Sequence, residues 1–182
     1  MPALRLFPRL RRDPHRAVGE ALYAAAVAAA RDPALFAQLA IPDTLDGRFD
    51  SLSLFAVLLI ERLRATPAPG AALAQAVFDA MFRDMDRSLR EMGVGDPSLP
   101  KRMKAMWNAL HGRALAYGPA LAAGDAAALA RALERNVWRE DAPAGAPAAL
   151  AARALAEARH LATQPLDALG AGQVAFLPRQ AA

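Results

Sequence analysis

The stretch Phe78-Asp79-Ala80-Met81-Phe82-Arg83-Asp84-Met85-Asp86-Arg87-Ser88-Leu89-Arg90-Glu91-Met92 decides the fold class. Phe78, Met81, Phe82, Met85, Leu89 and Met92 recur at i, i+3, i+4, i+7, i+11 and i+14, one apolar stripe of an α-helix. The other side carries Asp79, Arg83, Asp86, Arg87 and Arg90, with Asp79–Arg83, Asp86–Arg90 and Arg87–Glu91 at supportive i, i+4 spacing. Gly93 ends this helix, and Val94 to Pro97 makes a tight connection. Ser98 then opens a partner whose stripe runs through Leu99, Met103, Met106, Trp107, Leu110, Ala114 and Tyr117. Two amphipathic helices joined this closely predict an antiparallel hairpin.

Working outward, the same period continues. Ala17–Ala30 reads as a helix, and Pro33 opens a short turn through Phe36 and Leu39. Asp50 or Ser51 is expected to cap a helix reaching Arg64. With Leu52, Leu54, Phe55, Val57, Leu58, Leu59, Ile60 and Leu63, that helix is apolar nearly all round and belongs in the middle of a bundle. Asp125 caps a helix through Trp138, and a last one spans about Ala148 to Thr163, while Val174 to Pro178 is too short to assign. Alanine accounts for 48 of 182 residues, and it loses no side-chain entropy in a helix. The expected fold is all-α: a single-domain bundle of six to seven helices around a central amphipathic hairpin. Residues 1–16 form a basic flexible tail, and residues 17–182 the domain, with a Pro/Gly/Ala-rich break near 142–147.

Charge and composition exclude several functions. Net charge is +4, yet Arg5, Arg9, Arg11, Arg12 and Arg16 against Asp13 account for all of it, so the remainder is balanced. A basic face for sequence-specific nucleic-acid binding is therefore not expected. The arginines precede no apolar h-region, which argues against a signal peptide. The longest apolar run, Ala21 to Ala30, is far short of a membrane span. Leu4, Leu6, Phe7 and Leu10 between the arginines would suit a peripheral contact with an anionic surface. The absence of cysteine excludes disulfides, thiol catalysis and Cys-type metal sites.

No reaction chemistry stands out. His15, His111 and His160 lack a partner at metal-ligand spacing, so no metal, cofactor or catalytic residue is expected. Asp43, Asp46 and Asp50 around Gly47 suggest a calcium loop, but the alternate acids and terminal Glu of an EF-hand are missing. An ordered structural loop of Asp43, Asp46, Gly47, Arg48 and Asp50, with Arg48 paired to a carboxylate, explains them better. Apart from Met1, every methionine lies between Met81 and Met106. Methionine adapts its shape, filling cores and also lining surfaces that accept varied apolar partners.

Longer strings carry a resemblance. Leu39-Ala40-Ile41-Pro42-Asp43-Thr44-Leu45-Asp46-Gly47-Arg48-Phe49-Asp50, and the run from Phe78 through Met92 to Gly93-Val94-Gly95-Asp96, resemble the ubiquinol–cytochrome c chaperone family. Lys101-Arg102-Met103-Lys104-Ala105-Met106, Gly112-Arg113, Ala116-Tyr117 and Leu133 to Val137 fit its continuation, so that the likeness covers about Leu22 to Trp138. The resemblance implies a non-enzymatic assembly factor for respiratory complex III. It implies cytochrome b as client, a small partner protein and the ribosome as further contacts, and membrane association. The alanine- and arginine-rich composition suits a bacterial member, in the cytoplasm or peripheral at the inner membrane through residues 1–16.

The expected client site is a groove beside the Met-rich hairpin. Phe78, Met81, Phe82, Met85, Met106 and Trp107 supply its apolar surface, and Lys101, Lys104 and Arg113 its flanking charge. Two other readings fit the sequence. One is a ribosome- or membrane-docking adaptor led by residues 1–16; the other is a small helical enzyme or haem-binding protein using His111 with Asp84 or Asp86.

Overall fold

The computed structural model describes residues 14–139 and 141–178. Of these, 74% are helical, and no strand occurs among the described residues. The helices are α1 (Arg16–Ala30), α2 (Pro33–Ala37), α3 (Leu45–Arg64), α4 (Gly70–Glu91), α5 (Leu99–Ala123), α6 (Ala126–Leu133), α7 (Ala146–Ala162) and α8 (Leu166–Gly170). A π-helical turn, Glu134–Trp138, extends α6. The predicted tail lies almost wholly outside the described residues.

Helix α3 occupies the middle, as its apolar circumference requires. Leu54, Phe55, Val57, Leu58, Leu59, Ile60 and Leu63 are all buried, and α1, α4, α5 and α7 pack around them. Alanine sets how closely the neighbours approach. Helices α1 and α4 share the most extensive contact, and Ala26, Ala30, Ala74, Ala76 and Ala80 on them are buried. At Gly19 a Cβ would come within 2.6 Å of the Ala76 backbone, so only glycine allows this approach.

The start of α3 differs from the sequence expectation. Thr44, not Asp50 or Ser51, is the N-cap, and its hydroxyl accepts from the Gly47 N–H at 3.2 Å. The supposed loop from Leu45 onward is thus the first turn of α3. Asp50 and Ser51 are buried inside the helix, and Ser51 Oγ donates to the Ala30 carbonyl at 2.9 Å. Hydrophobic spacing misplaced the boundary because Asp46, Gly47 and Arg48 read as turn residues. Gly47 is needed for packing: a Cβ there would meet the Pro42 carbonyl oxygen at 1.9 Å. Gly47→Ala should therefore destabilise the protein by about 1–3 kcal/mol, the usual cost of overpacking, measured by urea denaturation.

The C-terminal segment, unassigned by sequence, is pinned by side-chain hydrogen bonds. The Gln164 side-chain amide bonds both the N–H and the carbonyl of Ala175, at 2.9 and 2.6 Å. Two residues on, buried Glu157 accepts the Leu177 N–H at 2.9 Å, while Phe176 packs edge-on against Phe55. Arg153, paired with Glu157 at 2.9 Å and with buried Asp32 at 3.6 Å, anchors this end of the bundle.

Candidate functional site

Helices α4 and α5 follow one another in hairpin order, but the stripe of α4 is directed mainly at α1 and α3. As a result a cleft of about 1030 Å³ opens between α1, α2, the start of α3, the end of α4 and the first half of α5. Each long helix presents one face to it at helical spacing. Tyr23, Val27 and Arg31 come from α1 and the residue after it, and Leu45, Phe49 and Leu52 from α3. Met85 and Leu89 come from α4 and Met92 from the residue after it, and Arg102, Met106 and Arg113 from α5. Phe36 of α2 also lines the cleft. Large exposed hydrophobics are few among the described residues: Leu45 at 63%, Met92 at 52% and Leu115 at 64%. Two of those three stand on the lining of this one cleft.

The same lining carries an ionic cluster centred on Asp50. Asp50 is fully buried and accepts a hydrogen bond from Arg113 Nη2, while Arg139 Nη1 reaches its other oxygen at 3.3 Å. Arg113 also donates to the Ala109 carbonyl at 3.0 Å and lies over the Phe49 ring at 5.3 Å. Burial pushes the Asp50 carboxyl above the ordinary carboxylate range, against the opposing pull of Arg113 and Arg139. The π-helical turn brings Arg139 here, in a left-handed conformation at φ 55°, uncommon for a residue with a Cβ. Next to it, Trp138 Nε1 donates to the Ala40 carbonyl at 3.0 Å, tying this turn to the chain leading into α3.

A second polar group sits on the α1–α4 wall. The Tyr23 hydroxyl donates to Asp84 Oδ2 at 2.9 Å, and Arg87 also bonds Asp84. Burial first, then Asp84, holds the tyrosine far above its ordinary titration range, so it remains a donor. At the α3 lip, Arg48 pairs with Asp43 at 2.6 Å, as the sequence predicts, and holds that carboxyl below its usual range. The acids of this segment bond arginines rather than backbone N–H groups.

The structure divides the expected site residues. Met85, Met106, Arg113, Asp43, Asp46, Arg48 and Asp50 line the cleft, and Gly47 packs against Pro42 beside it. Phe78, Met81 and Phe82 do not: all three are buried in the core, with Phe78 stacked on Phe82 at 4.5 Å. This corrects the expectation that these three supply the apolar surface of the groove, because α4 packs here mainly against α1 and α3. Lys101 and Lys104 are exposed and off the lining, and half-buried Trp107 stacks on His111 at 5.1 Å. The alternative pairing of His111 with Asp84 or Asp86 finds no geometry: Asp84 is engaged by Tyr23 and Arg87, and Asp86 by Arg90. Among the described residues no group of three His, Asp or Glu could hold a metal ion. No helix among them is long and apolar enough to cross a membrane.

Sequence reasoning missed Tyr23, Arg31, Phe36, Leu45, Phe49, Leu52, Met92, Arg102 and Arg139. The i, i+4, i+7 spacing of Leu45, Phe49 and Leu52 was available, but it continues upstream of the expected helix start.

The model of the ubiquinol–cytochrome c chaperone family matches residues 37–176, which contain most of this cleft. The chain is also similar to a solved structure described as the Cbp3 homolog from Brucella abortus, with 41% identity and a TM-score of 0.79. That likeness covers 89% of this chain and 90% of the other. No curated protein matches.

Proposed function

The chain belongs to the ubiquinol–cytochrome c chaperone family, and from that premise we propose that it holds apolar helices of newly made cytochrome b in the α1–α5 cleft during assembly of respiratory complex III. The observation that carries the proposal is the exposure of Leu45 and Met92, both on the lining of one cleft whose surface is mostly apolar. Exposed apolar side chains converging on a concavity mark an interaction site more often than scattered ones do. At about 1030 Å³ the cleft stands at the upper end of small-molecule pockets. It suits a row of side chains from one helix face, in helix-in-groove fashion.

Holding requires no bond-making. An apolar client face displaces water from Phe36, Phe49, Leu52 and Met92, and the area removed from water drives association. Met85, Met92 and Met106 adjust their rotamers to clients of differing shape. The Asp50–Arg113–Arg139 cluster fixes the distance between α3 and α5, so the walls keep their spacing when the cleft is empty.

Capture of cytochrome b synthesised in a coupled translation mixture tests the proposal. Met106→Glu places a charge on a half-buried cleft side chain, and capture should fall at least about tenfold with the melting temperature nearly unchanged. Full capture by the folded variant would place the client elsewhere.

A further inference from the structure

We infer that the helix seated in this cleft carries carboxylates beside its apolar face, and that Arg31 and Arg102 receive them; this rests on the holding function proposed above. The cations around the cleft divide into two sets. Arg48 is matched by Asp43, Arg87 by Asp84, and Arg113 and Arg139 by Asp50. Arg31 and Arg102 line the same cleft, and neither makes an ion pair or side-chain hydrogen bond among the described residues.

The position of Arg102 adds a second argument. It lies near the beginning of α5, flanked by Lys101 and Lys104, and the first turn of that helix contains no acid. Helix beginnings carry the positive end of the macrodipole, so basic residues there are disfavoured and acids preferred. Lys101 and Lys104 are exposed and make no ion pair among the described residues either. An uncompensated cationic turn against the dipole, on the lip of an apolar cleft, is an arrangement that a negatively charged ligand relieves. Arg31 follows α1, where the dipole favours a cation, so its position alone would need no ligand. Its place on the lining opposite α5 makes it the second contact. The acids of the α3 lip face Arg48 and Arg139 at 2.6 and 4.0 Å, which leaves the α1–α5 side as the electropositive one. An amphipathic helix bordered by Asp or Glu complements both parts: its apolar face fills the cleft and its acids meet Arg31 and Arg102.

The test uses the full chain and two fluorescent synthetic helices with the same apolar face, one bordered by Glu and the other by Lys, read by anisotropy. The Glu helix should bind at least about tenfold more tightly at low salt, and 0.5 M NaCl should largely remove the difference. In the Arg31→Ala/Arg102→Ala variant the preference should shrink to about twofold, with binding of the Lys helix retained. Equal binding of both helices to the parent overturns the charge assignment and leaves the holding function standing. Binding of neither overturns both. A preference undiminished in the double variant overturns the role of these two arginines. Displacement of the Glu helix by phosphatidylglycerol vesicles, with no effect of phosphatidylcholine vesicles, would assign the cations to a lipid surface and overturn the protein-helix reading.

Discussion

Asp50→Ala should cost about 3–5 kcal/mol of folding stability, measured as a shift of the urea midpoint at constant slope. The carboxylate is fully buried, and the Arg113 side chain against it is only 10% exposed. Removing the acid leaves a guanidinium inside the protein with the Ala109 carbonyl and a long 3.5 Å contact to the Asn136 carbonyl as its remaining acceptors. Arg139, half-exposed, can turn to solvent and contributes less. Asp50→Asn keeps an acceptor for Arg113 and should lose distinctly less. The pH dependence has a definite sign. Because burial raises the folded-state pKa of Asp50, the contribution of its titration is complete below the unfolded-state value and is lost as pH rises through the folded one. A loss below about 1 kcal/mol for Asp50→Ala would mean that the cluster does not organise the base of the cleft.

The methionines provide the second large effect. Met81→Ala should destabilise by about 2–5 kcal/mol, since its side chain is fully buried and deletion leaves a cavity in a closely packed core. Met106→Ala, on a half-buried cleft side chain, should cost under about 1 kcal/mol and instead weaken client capture. Thermal melting of the two variants beside the same capture assay separates the roles. A small loss for Met81→Ala would restore Met81 to the apolar surface of the client groove.

The period of Phe78 to Met92 was enough to predict α4, and the apolar circumference of residues 54–63 was enough to predict that α3 is central. What the period could not specify is which neighbour covers which part of a stripe. Met81 and Met85 occupy the same face four residues apart, yet α1 and α3 close over the first while the second reaches the cleft. The outcome depends on how closely α1 approaches, and that rests on Gly19 against Ala76, a pairing between residues 57 positions apart. The Asp50–Arg113 pair is likewise non-local, and an aspartate at that place in the sequence reads equally well as a cap. Family resemblance drew attention to Gly112-Arg113 and to residues 39–50, which the fold brings together at the cleft. It gave no reason for their pairing; the buried charge supplies one.

The central claim is that the α1–α5 cleft is where the client is held, and site-specific photocrosslinking tests it most directly. A photoreactive residue is placed at Leu45, Met92 or Met106 on the cleft, and at Leu115, which is 64% exposed and off the lining. Each variant is irradiated during synthesis of cytochrome b. Crosslinks to cytochrome b from the three cleft positions and none from Leu115 are the predicted result; crosslinks from Leu115 with none from the cleft would contradict the account.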